Sequence, residues 1–173
     1  MAKRIITKIG DVFCVEVEGR EKAYFQYIAN DMSQLNSSTI RVFKKRYPMD
    51  SEANVEDIVA DEVEFYSHTV LKFGIEDGAW YKVGKSPEIG DTQNILFRTF
   101  NTYFIGKDYH AQDLWRVWYI NQDERFFETL PEDVKQRSLP GSVFTYTHIC
   151  RKIKEGRYLP ASGRENRNPN DDY

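Results

Sequence analysis

Three histidines, two cysteines and one dense run of carboxylates are the groups in this chain best equipped for chemistry. His68 lies in FYSHTVLKFGIEDGAWYKVGKSP, residues 65 to 87, among five aromatic side chains. A histidine acting as a general base needs a carboxylate to orient one ring nitrogen and a substrate proton beside the other. Glu64, the carboxylate four residues back on the same strand face, would lie about 13 Å away, too far to act directly. The expectation is a histidine hydrogen-bonded in or beside a core, within a core wall followed by a turn. Asp108, His110 and Asp113 form the best local carboxylate–imidazole grouping, of the kind a phosphoester hydrolase would use; a polar loop between strands is the plainer reading. No two histidines lie within five residues of each other, so no local spacing predicts a metal site. No catalytic residue, metal or cofactor is expected.

The remaining nucleophiles and loops are equally reserved. Cys14 falls inside an alternating strand, whereas Cys150 stands beside Arg151 and Lys152, cations that could lower a thiol pKa. A small buried filler between Ile149 and Ile153 is the expected role of Cys150. With no CxxC pair, two reduced thiols are the reading. Gly84–Lys85–Ser86 has the tail of a phosphate-binding loop but not its leading glycine, so it reads as a turn.

Charge is more distinctive. Between Arg46 and Lys72 there is no Lys or Arg, while Asp50, Glu52, Glu56, Asp57, Asp61, Glu62 and Glu64 supply seven carboxylates. Such a patch can steer a basic partner at high rates and low salt, although it also reads as a solvated helix face. Trp80 and Tyr81, if exposed on their turn, would be the aromatic anchors typical of binding hot spots. Just upstream, Lys44, Lys45 and Arg46 with Phe43 and Tyr47 could grip a phosphate backbone and stack a base. The formal charge of −3 lends a nucleic-acid interface no bulk support.

The elements that must carry these groups are mostly strands. Eleven Tyr, eleven Phe and three Trp favour pleated surfaces. GDVFCVEVEG alternates with period two, EKAYFQYIAN is apolar on both faces, and STIRVFKKRYP is stopped by Pro48. Together they predict a strongly bent antiparallel meander, with a small SH3-like barrel as one form. Asn54 can cap a short amphipathic helix over Val55 to Val59, leading into a strand from Val63 on which His68 shares a face with Tyr66 and Val70. That strand is expected to run to Phe73, and GIEDGAWYKVG to be a turn-rich connection. NILFRTFNTYFIG and DLWRVWYIN read as further strands. Thr129 and Glu132 suggest a capping box opening a short helix, and Gly156 a C-cap closing another.

A chain of 173 residues fits one α+β domain, residues 1–160, followed by a disordered tail, 161–173. No stretch approaches the ~18 apolar residues of a membrane span, and no signal peptide is evident, so the expected location is cytoplasmic.

A resemblance adds to this. Gly10–Phe13 as GDVF, Tyr24–Tyr27 as YFQY and Ile40–Phe43 as IRVF are similar to the opening strands of the bacterial immunity-26 group, some of whose members are labelled HocA-like phosphotriesterases. The stretch from Phe65 to Pro87 and the closing pattern Ile149–Gly156–Tyr158 resemble that group too. The resemblance implies a protein that binds and neutralises a cognate toxin of a polymorphic system, a nuclease being one candidate. It carries over no catalytic residues. The phosphotriesterase label implies organophosphate hydrolysis instead, against which stands the lack of clustered metal ligands. A phosphoester hydrolase and a nucleic-acid-binding barrel are the two rival expectations.

Overall fold

A computed structural model describes residues 4–107 and 110–159, so Asp108 and the tail expected to be disordered lie outside the described residues. Fifteen elements are present: β1 (Asp11–Val17), β2 (Glu21–Asp31), β3 (Ser37–Phe43), β4 (Tyr47–Pro48), α1 (Val55–Val59), β5 (Val63–Thr69), α2 (Leu71–Glu76), β6 (Tyr81–Lys85), β7 (Leu96–Ile105), β8 (His110–Tyr119), β9 (Arg125–Phe127), α3 (Glu132–Arg137), β10 (Leu139–Pro140), β11 (Val143–Phe144) and α4 (Tyr146–Glu155). The fold is α+β. Seven strands form one sheet in the order β11-β5-β3-β2-β1-β6, with β4 beside β2; four form a second, β10-β7-β8-β9. The first sheet is bent but does not close, so the N-terminal strands make no barrel.

The meander β1–β2–β3 is antiparallel, as the alternating sequence requires, and β5 continues it antiparallel to β3. One face of this sheet holds Phe13, Phe25, Tyr27, Ile40 and Val42, which bury Leu71 and Trp80 around α2 and Ile149 and Ile153 of α4. At ~25 cal/mol per Å², this is where the apolar sequence does most to hold the fold. The opposite face is shared. Val12, Cys14, Tyr24 and Phe43 pack against Ile58 and Val59 of α1, and Ile28 and Ala29 pack against Phe97 and Trp118 of the second sheet.

Strand β2 serves both faces because its register shifts between Tyr27 and Ala29. A strict period of two would leave Ala29 and Asp31 on the face of Phe25 and Tyr27. The extra residue turns them to the other side, the usual effect of a β-bulge, and Ala29 accordingly joins Phe97 and Trp118.

Three expectations need correction. The strand containing His68 stops at Thr69, and Leu71–Glu76 is helical. The connection after it is not all turn, since Tyr81–Lys85 is an edge strand paired with β1. The helix at 132–137 starts after Pro131 without a side-chain cap, so the Thr129–Glu132 capping box does not form. The other caps are as read: Asn54 accepts from the Glu56 N–H at 3.0 Å, and Gly156 ends α4 at φ 76 in the left-handed region that glycine tolerates.

Candidate functional site

The acidic segment splits into two halves. Asp61, Glu62 and Glu64 follow α1 and enter β5, whose antiparallel partner β3 ends in the basic cluster. Register brings the opposite charges together. Lys44 Nζ lies 3.1 Å from Glu62 Oε1, Arg46 Nη2 lies 2.7 Å from Glu64 Oε2, and the Lys45 N–H donates to Asp61 Oδ2 at 2.7 Å. Arg46 also donates to the Phe43 carbonyl at 2.8 Å. This half is spent on the protein itself, and so is the basic cluster once read as a phosphate grip. Its two rings are unavailable for stacking on a base, because Phe43 and Tyr47 are buried against α1 and Lys45 lies over the Tyr47 ring.

Asp50, Glu52, Glu56 and Asp57 form the other half. All four are exposed, and among the described residues none meets a basic side chain within ion-pair distance. Glu56 and Asp57 occupy the first turn of α1, where carboxylates are favoured by the unsatisfied N–H groups. The helix is held from below by Ile58 and Val59. At its end Arg41, buried between α1 and the 86–88 loop, donates to the Val59 and Glu88 carbonyls at 3.4 and 2.7 Å and to Gln26 Oε1 at 2.9 Å. Val55 fits over Gly84 of β6, where a Cβ would lie 2.5 Å from its methyl. The acidic turn is therefore presented on a fixed platform.

Trp80 and Tyr81 part company. Trp80 is 1% exposed, which overturns the expectation of a surface anchor. Its indole lies edge-on to Phe25 with centroids 5.1 Å apart, and its Nε1–H donates to the Leu71 carbonyl at 3.0 Å. Gly74 makes the fit possible: a Cβ there would sit 2.1 Å from the indole. Tyr81 is 44% exposed. Paired with Cys14, it shares the face covered by α1, and its hydroxyl donates to Glu16 at 3.3 Å. A hydrogen bond with the Cys14 thiol, with burial and the Glu16 charge behind it, raises the Tyr81 pKa.

His68 has the carboxylate partner that sequence did not reveal. Asp31, delivered by the bulge in β2, accepts from His68 Nε2 at 2.9 Å and from Trp118 Nε1 at 2.8 Å, both at Oδ2. The Asn121 N–H reaches Oδ1 at 3.3 Å. Burial acts to raise the Asp31 pKa, but the hydrogen bonds from His68 and Trp118, aided by Asn121, hold it below the ordinary carboxylate value. With an ionised acceptor at Oδ2, Nε2 carries the imidazole proton. Its other nitrogen, Nδ1, is buried without a hydrogen-bond partner, as is Oγ1 of Thr39 on the neighbouring strand.

A hydroxyl, an imidazole and a carboxylate thus lie on one face, which is the inventory of a catalytic relay. All three residues are nonetheless 0% exposed, and the His68 ring is packed 4.2 Å from that of Phe97. None of the three lines the clefts beside Tyr119 and Arg125, beside Ile5 and Phe13, or along β5. The arrangement joins the two sheets through one carboxylate.

Burial raises the Cys14 pKa and pushes the Cys150 thiol up to about 11, so neither carries thiolate at neutral pH. In the grouping around His110, Asp113 accepts from the Thr102 hydroxyl at 2.6 Å. No group of three His, Cys, Asp or Glu among the described residues could hold a metal ion. No helix there is long and apolar enough to cross a membrane. Comparison with protein-family models, with curated proteins and with solved structures finds no match.

Proposed function

We propose that this chain is an immunity protein that neutralises a cognate bacterial toxin in the cytoplasm by stoichiometric binding rather than by turnover. The observation that carries the reading is the unmatched acidic turn: Asp50 and Glu52 in the segment before α1 and Glu56 and Asp57 in its first turn stand exposed, while Glu62 and Glu64 just after them are paired by Lys44 and Arg46 beyond the end of β3. A rigid cluster of one sign raises the encounter rate with an oppositely charged surface, which fits a basic toxin such as a nuclease. Tyr81, on the same face of the first sheet, supplies an amphipathic ring of the type found at hot spots. The resemblance of GDVF, YFQY and IRVF to the immunity-26 group supports the same reading.

The test begins with capture of the partner by the tagged chain from its native cells at low salt, with elution by salt. The captured toxin must arrest growth when expressed alone and fail to do so with this chain. Replacing all four carboxylates by lysine should lower the association rate by about 10- to 1,000-fold at low salt, the range ascribed to steering. An unchanged rate would remove the acidic turn from the interface.

A further inference from the structure

We infer that an extended segment of the partner, with basic residues alternating with apolar ones, adds as a strand to the free edge of β5. This rests on the partner-binding reading and says how the partner is held once charge has delivered it.

A cleft of about 340 Å³ runs beside β5 and is lined by Val63, Glu64, Phe65 and Tyr66, with Leu96 and Leu139 on its far wall. Four consecutive residues matter here. A cleft over one face of a strand would touch alternate residues, because successive side chains point to opposite faces. Contact with all four means that the cleft follows the strand's edge.

That edge is unpaired where the cleft lies, with β10 beside β5 across it. On one side β3 pairs with β5 from Val63 to Thr69. On the other, β11 pairs only with His68 and Thr69, so no strand among the described residues pairs with positions 63–67. An added strand would bond its main chain to this edge and place every second side chain between Leu96 and Leu139, which is the physics of strand addition. The volume falls within the ~300–1,000 Å³ usual for ligand sites.

Charge selects the occupant. Val63 packs on the cluster that holds Ile58 and Val59, so the cleft opens at the foot of the acidic helix. Asp91 continues that negative surface into it, whereas Glu64 at its rim is already paired with Arg46. The cation there, Arg137, lies 3.9 Å from Asp133. Of the other free edges, β6 carries Lys82 and Lys85, the residue type that discourages pairing.

The experiment selects random octapeptides displayed on phage against the immobilised full-length chain, without any toxin. The expected result is enrichment of alternating apolar and Lys/Arg sequences. Synthetic copies should bind at least tenfold more weakly when alternate amides are N-methylated, and similarly to Leu139→Lys. Because Leu139 also touches the inter-sheet core, the exposed variant Asp91→Lys provides a second arm, with a loss of about threefold. No enrichment, or peptides indifferent to both N-methylation and these variants, overturns the inference. A chain that captures its toxin yet selects no such peptide refutes the groove alone; one that selects them but protects against no toxin refutes the immunity reading alone.

Discussion

Asp31 and the carboxylates of α1 belong to the same face of one sheet, and they are put to opposite uses. Asp31 is fully buried and takes hydrogen bonds from His68, Trp118 and the Asn121 backbone. Glu56 and Asp57 stand in solvent with no basic neighbour among the described residues. A dry carboxylate must be satisfied or it unfolds the protein, so its neighbours are fixed and it is committed to architecture. A wet one costs the fold little and is free to act on another molecule. The contrast places Asp31 with stability and leaves the acidic turn available for the recognition we propose, and each assignment can be challenged separately.

The largest effect should come from Trp80, which joined the wrong side of this contrast when read from sequence. Trp80→Ala should cost about 3–5 kcal/mol in urea unfolding, while leaving the salt dependence of partner association intact; a stable variant with a weakened complex would return the indole to the interface. Asp31→Asn keeps the shape but sets an amide against one of the donors, and should cost about 1–3 kcal/mol. A stability loss below that range would mean that the sheets are joined chiefly by Phe97 and Trp118. The same residue sets a pH dependence. Its folded pKa is depressed, so its contribution is fully present above the unfolded value of about 3.9 and is lost as pH falls through the lower folded value. Acid unfolding of the Asn variant should accordingly be less steep than that of the parent. The smallest effect belongs to the matched half of the acidic segment. A double-mutant cycle on Lys44 and Glu62, both largely exposed, should return about 0.2–1 kcal/mol, and reversing the four carboxylates of the unmatched half should lower the melting temperature by only about 2–4 °C, through the two cations set in the first turn of α1.

Much of the fold was legible because local rules suffice for it. Period-two alternation placed β1, and two-sided apolar runs placed β2 and β8. Asn54 and Gly156 declared their caps. The helix α2 was hidden because Leu71 and Phe73 continue the strand's alternation, and only packing of Gly74 against Trp80 decides otherwise. Trp80 misled for a related reason: glycines on both sides signal a turn, but one of them is a seat for the indole. Of the candidate site, the seven carboxylates were plain and their division was not, since the pairing of 61–64 with 44–46 depends on strand register. Asp31 was overlooked because it lies 37 positions from His68. Gln26–Tyr27–Ile28–Ala29 carries no glycine or proline to announce the bulge that turns Asp31 toward it.

That bulge makes β2 a strand written in two phases. Up to Tyr27 its odd-numbered side chains serve the helices α2 and α4; from Ala29 onward they serve the second sheet. Deleting Asn30, just beyond the bulge, would keep both phases but swing Asp31 toward the opposite side and leave His68 and Trp118 without their shared acceptor. A lineage of such proteins could therefore trade the apolar side chains of β2, and even lose the bulged residue with its bulge, while being unable to shorten the strand between Ala29 and Asp31 by one residue.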